Sequence, residues 1–170
     1  LNNNEGATIE TTGTSDGYGI IMDGATNVTV VNAGTITSDI NAFRCLTCAD
    51  VAFTNTGTIE TTDSSAGTTT IIRGATGTNT IINSGDITSE NERAVDISQT
   101  SGTTVTNSGT VTAGTNTGLN LAHTTNAVVT NSGTIQANDQ AVSLENDESA
   151  TAGSGTSLTN SGIIQVTGSG

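Results

Sequence analysis

The sequence predicts an all-β chain wound into a parallel β-helix, a β-solenoid of about six to seven coils with three short strands per coil. Three observations lead there. One phrase recurs along the chain, as Asn32-Ala33-Gly34-Thr35-Ile36, Asn55-Thr56-Gly57-Thr58-Ile59, Asn83-Ser84-Gly85-Asp86-Ile87, Asn107-Ser108-Gly109-Thr110-Val111, Asn131-Ser132-Gly133-Thr134-Ile135 and Asn160-Ser161-Gly162-Ile163-Ile164, with a looser opening copy at Asn4-Glu5-Gly6. Its asparagines fall 28, 23, 28, 24, 24 and 29 residues apart, the period of coils stacked one on the next. Helix is disfavoured, because 21 glycines and abundant threonine leave no window with apolar residues at three-and-four spacing.

The repeat from Asn107 to Asn131 shows the elements of one coil. Val111 stands between threonines, Leu119 and Leu121 flank Asn120, and Val129 precedes the next asparagine by two, so each short stretch alternates and points one aliphatic row inward. Counted from each asparagine, the same columns return. Four residues after it stand Ile36, Ile59, Ile87, Val111, Ile135 and Ile164, and two before it stand Val30, Phe53, Ile81, Val105, Val129 and Leu158. The pairs Ile20/Met22, Phe43/Cys45, Val95/Ile97, Leu119/Leu121 and Val142/Leu144 fill a third wall, while Ile71/Arg73 breaks the pattern and leaves its register open. Three walls make a section of roughly triangular shape, with coils ~4.8 Å apart and a stack ~30 Å tall.

At the corner, glycine is expected to supply a positive φ. The asparagines Asn32, Asn55, Asn83, Asn107, Asn131 and Asn160 are expected to form an internal ladder of side-chain amides, each donating to one neighbouring coil and accepting from the other. Extra length marks the loops. Residues 13–17, with Asp16, residues 63–67, with Asp63, and the acidic stretch 145–149, with Glu145, Asp147 and Glu148, are the candidate binding loops.

Sixteen carboxylates against three arginines and no lysine give a formal charge of −13, which repels nucleic acid and anionic membrane surfaces. No apolar span or signal-peptide pattern occurs, so direct membrane insertion is not expected. The acidic, Thr/Ser/Asn-rich composition suits an extracellular surface, but the calcium-binding nonapeptide is absent, and no cofactor or metal is expected. The 170 residues read as one solenoid domain without a visible cap, expected to be a segment of a longer solenoid or a unit that stacks end to end.

Candidate chemistry is thin. Cys45 and Cys48 form the only cysteine pair and point to a short-range disulfide or two buried thiols. A zinc site needs about four ligands, yet His123, the single histidine, lies roughly 14 Å away along the axis. Glu10 and Glu60 share a column but stand two coils apart, roughly 10 Å, and Asp39 and Glu90 are separated likewise. An enzyme is therefore not expected. A Thr-x-Thr row could bind ice, but Thr35/Thr37 and Thr110/Thr112 alternate with Thr58/Glu60, Asp86/Thr88, Thr134/Gln136 and Ile163/Gln165, so that row is broken.

The Asn-Ser-Gly-Thr-Ile/Val phrase, followed by alternating strands and a second apolar doublet, resembles the passenger regions of bacterial autotransporters and related large β-helical surface adhesins. The resemblance covers nearly the whole chain. It implies export across the outer membrane and display or release as stalk, adhesin or self-associating fibre. The translocator barrel of such proteins is missing here, and a cysteine pair departs from their usual composition. The resulting expectation is an extracellular or cell-surface module whose partners are further copies of itself, end to end, or a glycan or host surface met through the corner loops.

Overall fold

A computed structural model of the chain describes residues 1–13, 17–62, 67–144 and 155–168. These residues build three parallel sheets and contain no helix. The first wall stacks β1 (Asn2–Asn3), β4 (Thr29–Asn32), β7 (Ala52–Asn55), β10 (Asn79–Asn83), β13 (Thr103–Asn107), β16 (Val128–Asn131) and β19 (Ser157–Asn160). The second stacks β2 (Thr8–Thr11), β5 (Thr35–Ser38), β8 (Thr58–Thr61), β11 (Asp86–Ser89), β14 (Thr110–Ala113), β17 (Thr134–Ala137) and β20 (Ile163–Val166). The third stacks β3 (Tyr18–Ile21), β6 (Asn41–Leu46), β9 (Thr70–Arg73), β12 (Val95–Ser98), β15 (Thr117–Asn120) and β18 (Gln140–Ser143). The result is a β-solenoid of roughly five to six turns, short of the six to seven counted from the repeats. The count falls because β1 has only two residues and the third wall has one strand fewer than the others.

The core runs down the axis. Val30, Phe53, Ile81, Val105 and Val129 are buried from the first wall, and Ile36, Ile59, Ile87, Val111 and Ile135 from the second. Register binds like to like: Ile36 pairs with Ile59, Ile59 with Ile87, and Val111 with Ile135. Each methyl-bearing side chain thus packs on its counterpart one coil away, a continuous apolar column that no single coil could form. The Phe43 and Phe53 rings meet at 4.8 Å between centroids and bridge the third and first walls.

The interrupted third-wall rung resolves by a shift of one residue. Thr70 pairs with Phe43 and Val95, and Ile72 with Cys45 and Ile97, so Thr70/Ile72 face inward and Ile71/Arg73 face out. Thr70 takes an apolar slot, fully buried, and its hydroxyl finds no hydrogen-bond partner. At the far end Leu144 is 40% exposed and lies outside the core, because among the described residues no third-wall strand stacks above β18.

The signature glycines correct the expectation about φ. Gly34, Gly57, Gly85, Gly109, Gly133 and Gly162 do not have positive φ. Glycine is required there because a Cβ would lie 2.0–2.2 Å from a carbonyl oxygen of the preceding coil, for instance 2.1 Å from Gly85 O at Gly109. The corner backbones approach too closely for any side chain. Positive φ is used at a different corner, between third and first walls, where two left-handed residues recur in each turn. One column is Gly24, Thr47, Gly74, Gln99 and His123, and the other is Asn27, Asp50, Gly77, Gly102 and Asn126. Asn, Asp and Gly dominate the second column because they tolerate this conformation best.

Candidate functional site

The asparagines line the corner between the first and second walls, each at the last position of a first-wall strand with its side chain turned in. Asn32 Nδ2 donates to Asn55 Oδ1 at 2.7 Å, Asn55 to Asn83 at 2.8 Å, Asn83 to Asn107 at 2.8 Å, Asn107 to Asn131 at 2.7 Å and Asn131 to Asn160 at 2.7 Å. The two hydrogens of each amide are shared with two carbonyls besides, as when Asn107 reaches Gly109 O and Thr134 O, both at 3.2 Å. The backbone oxygen is used too: Asn107 O accepts from Ser132 N at 2.8 Å and Gly133 N at 3.2 Å. A buried, fully bonded amide column satisfies the polar groups that a tight corner removes from water.

The first rung belongs to Asn3 and not Asn4. Asn3 Nδ2 donates to Asn32 Oδ1 at 2.8 Å, while Asn4 O accepts from Ala7 N in a turn that gives this corner two extra residues. All rungs point one way, so the ladder has a donor end and an acceptor end. Asn160 Nδ2 reaches only Gly162 O of its own coil, and Asn3 Oδ1 receives no donor from the described residues.

Cys45 and Cys48 are joined in a disulfide that links the end of the β6 core row to the next corner, across left-handed Thr47. Both are essentially inaccessible, at 0% and 1% exposure. Cys48 Sγ lies 3.1 Å from Met22 O, a packing contact since a cystine sulfur carries no proton. Cys48 occupies the inward column of Ala75, Thr100 and Thr124, so the bridge replaces core packing at one rung.

The outer faces differ in charge. On the second wall Glu10, Thr37 and Glu60 occupy successive rungs, which leaves the two glutamates separated by a full coil, and Asp86 breaks the neighbouring threonine column between Thr58 and Thr110. On the third wall Arg44 pairs with Asp23 at 2.6 Å and lies over the Tyr18 ring at 5.3 Å. The hydrogen bond to Asp23 raises the guanidinium above its ordinary value. Arg73 pairs with the buried Asp96, whose other oxygen accepts from Asn120 Nδ2 at 2.9 Å. His123 sits exposed at the left-handed corner, and among the described residues no three His, Cys, Asp or Glu converge.

The first wall presents a surface that the repeat phrase did not bring to notice. Its outward side chains form two columns in register. One is Thr29, Ala52, Thr80, Thr104, Val128 and Ser157; the other is Val31, Thr54, Ile82, Thr106, Thr130 and Thr159. None is charged and ten of the twelve are β-branched. The signal was in the sequence, in the residues one and three before each asparagine.

Of the candidate binding loops, Asp16, Asp63, Glu145, Asp147 and Glu148 all lie outside the described residues. At the β18–β20 end, Val142, Leu144, Leu158, Ile164 and Val166 line an open apolar recess. No family model, curated protein or solved structure matches this chain.

Proposed function

We propose that the chain is an extracellular structural module, displayed at a cell surface or built into filaments by end-to-end stacking of solenoids. The observation that carries this reading is the polarity of the asparagine ladder. Among the described residues Asn160 Nδ2 donates only to Gly162 O, which leaves it further donor capacity, and Asn3 Oδ1 has matching acceptor capacity at the opposite end. A head-to-tail contact between copies would continue the column, and with it the parallel pairing of β19 with β1 and β20 with β2. Such a contact is heterologous and does not close, so it grows into a fibre. Apolar side chains at the same end support it: Leu158 and Val166, which continue the buried columns of Val129 and Ala137, are 36% and 55% exposed. Gln165, which donates to Gln136 Oε1 at 2.9 Å, would face Glu10 across the junction, an amide able to donate to a carboxylate.

Electron microscopy and sedimentation across a concentration series test the reading. Fibres with an axial repeat near the height of one stack are expected, and Asn160→Asp, which removes the donor and sets a carboxylate against Asn3 Oδ1, should prevent them. Single-copy particles at every concentration would refute end-to-end assembly. Because each copy carries −13, repulsion opposes association, so fibre formation should increase with salt over the range where the Debye length falls from about 10 Å to about 3 Å.

A further inference from the structure

We infer that the outer face of the first wall is an ice-binding surface, a function independent of the stacking proposed above. A chain of net charge −13 keeps every ionised side chain out of two adjacent columns that run across six successive strands of a parallel sheet. Thr104 and Thr106 on β13 form a Thr-x-Thr pair, four other rungs carry threonine beside valine, isoleucine or alanine, and the last carries Ser157 beside Thr159.

Each threonine offers a methyl and a hydroxyl. Among the described residues none of the threonine hydroxyls in these columns hydrogen-bonds within the chain, whereas Thr112 on the second wall accepts from Gln136 Nε2 at 3.2 Å. β-Branched side chains are stiff at χ1, so the array is ordered before anything binds. Its mesh is ~4.8 Å between strands and roughly 6.6 Å between alternate residues on a strand. That mesh is of the same order as the oxygen repeats on faces of hexagonal ice. Methyl groups so spaced hold first-shell water in cages while the hydroxyls anchor it, and a charged side chain would pull that water out of register.

Other occupants fit less well. The two columns cover roughly 350 Å² at strand geometry, so two copies face to face would bury roughly 700 Å², below the ~1,200 Å² of stable interfaces. A crystalline glycan is usually gripped by aromatic platforms, and the chain's only aromatic residues, Tyr18, Phe43 and Phe53, lie elsewhere. Nucleic acid and anionic lipid require basic side chains, and none is present on this face.

The test is ice growth in the purified chain, compared with an equal mass of serum albumin and with two variants checked for β-structure by circular dichroism. Faceted crystals with thermal hysteresis are expected for the parent chain. The double variant Thr80→Lys/Thr104→Lys should fall to the albumin baseline, while Thr110→Lys on the second wall should keep the parent value. Hysteresis no greater than albumin in the folded parent overturns the inference. Equal loss in the two variants also overturns it, as does a dimer or retention on crystalline cellulose that the double variant abolishes.

Discussion

At the scale of the residue, two chemical letters of the repeat have separate physical duties. Asn107 is buried with its amide donating to three acceptors and accepting from Asn83. Asn107→Ala leaves several of these groups unpaired, each costing about 1–3 kcal/mol. A midpoint fall in urea corresponding to at least about 3 kcal/mol is expected. Gly109→Ala drives a Cβ into Gly85 O, and relief requires the coils to separate, so it should be as damaging. Gly24→Ala is the control: its φ is +69° but nothing stands within 4 Å of the new Cβ, and the cost should be about 1 kcal/mol. If the two alanine variants melted together, the close approach of the coils would not be what demands glycine at position 109. In the opposite direction, Thr70→Val removes a buried hydroxyl without a partner and matches the Phe43 and Val95 of its column. It should raise stability by about 1 kcal/mol, read as a higher melting temperature.

At the scale of the element, most strands are four residues long and none is stable alone; what distinguishes them is what ties each to the next coil. Between β9 and β12 the tie is ionic. Arg73→Met strands the Asp96 carboxylate, which is fully buried, and should cost about 3 kcal/mol. Adding Asp96→Asn should recover most of it, and failure to recover would mean that Arg73 acts by packing its stem. The Arg44–Asp23 pair is part-exposed and should contribute less than about 1 kcal/mol. At the end of β6 the tie is covalent. The four-residue loop closed by Cys45 and Cys48 corresponds to about 2 kcal/mol of chain entropy. Both sulfurs are shielded, so reductant should act only after local opening, with thiol labelling that follows the unfolding equilibrium of that rung.

At the scale of the whole molecule, contacts pass only between neighbouring coils, and stability is therefore a sum of interfaces with weak ends. Amide exchange should be slowest in β10 and β13, which have a partner on both sides and lie mid-stack, and fastest in β1, β19 and β20. Uniform exchange along the stack would show a single cooperative unit. The repeat pattern alone located the axial columns Ile36 to Ile135 and Val30 to Val129, because a fixed period forces equal letters into equal places. It left open the register of the rung at Ile71/Arg73, where the longer segment after β8 allows a one-residue slip that inverts every side chain. It also assigned the signature glycine to φ, since a left-handed corner and a crowded one both select glycine.

What the sequence determined by itself is the coil: its period, its three apolar columns and its buried asparagines, all consequences of alternation along one strand. Only the tertiary structure decided which neighbour each coil's corner must clear, which asparagine begins the ladder, and that Thr70 and Ile72 take the inward slots of the third wall. These depend on lateral distance between segments some 24 residues apart, and no local rule of chain geometry contains that distance.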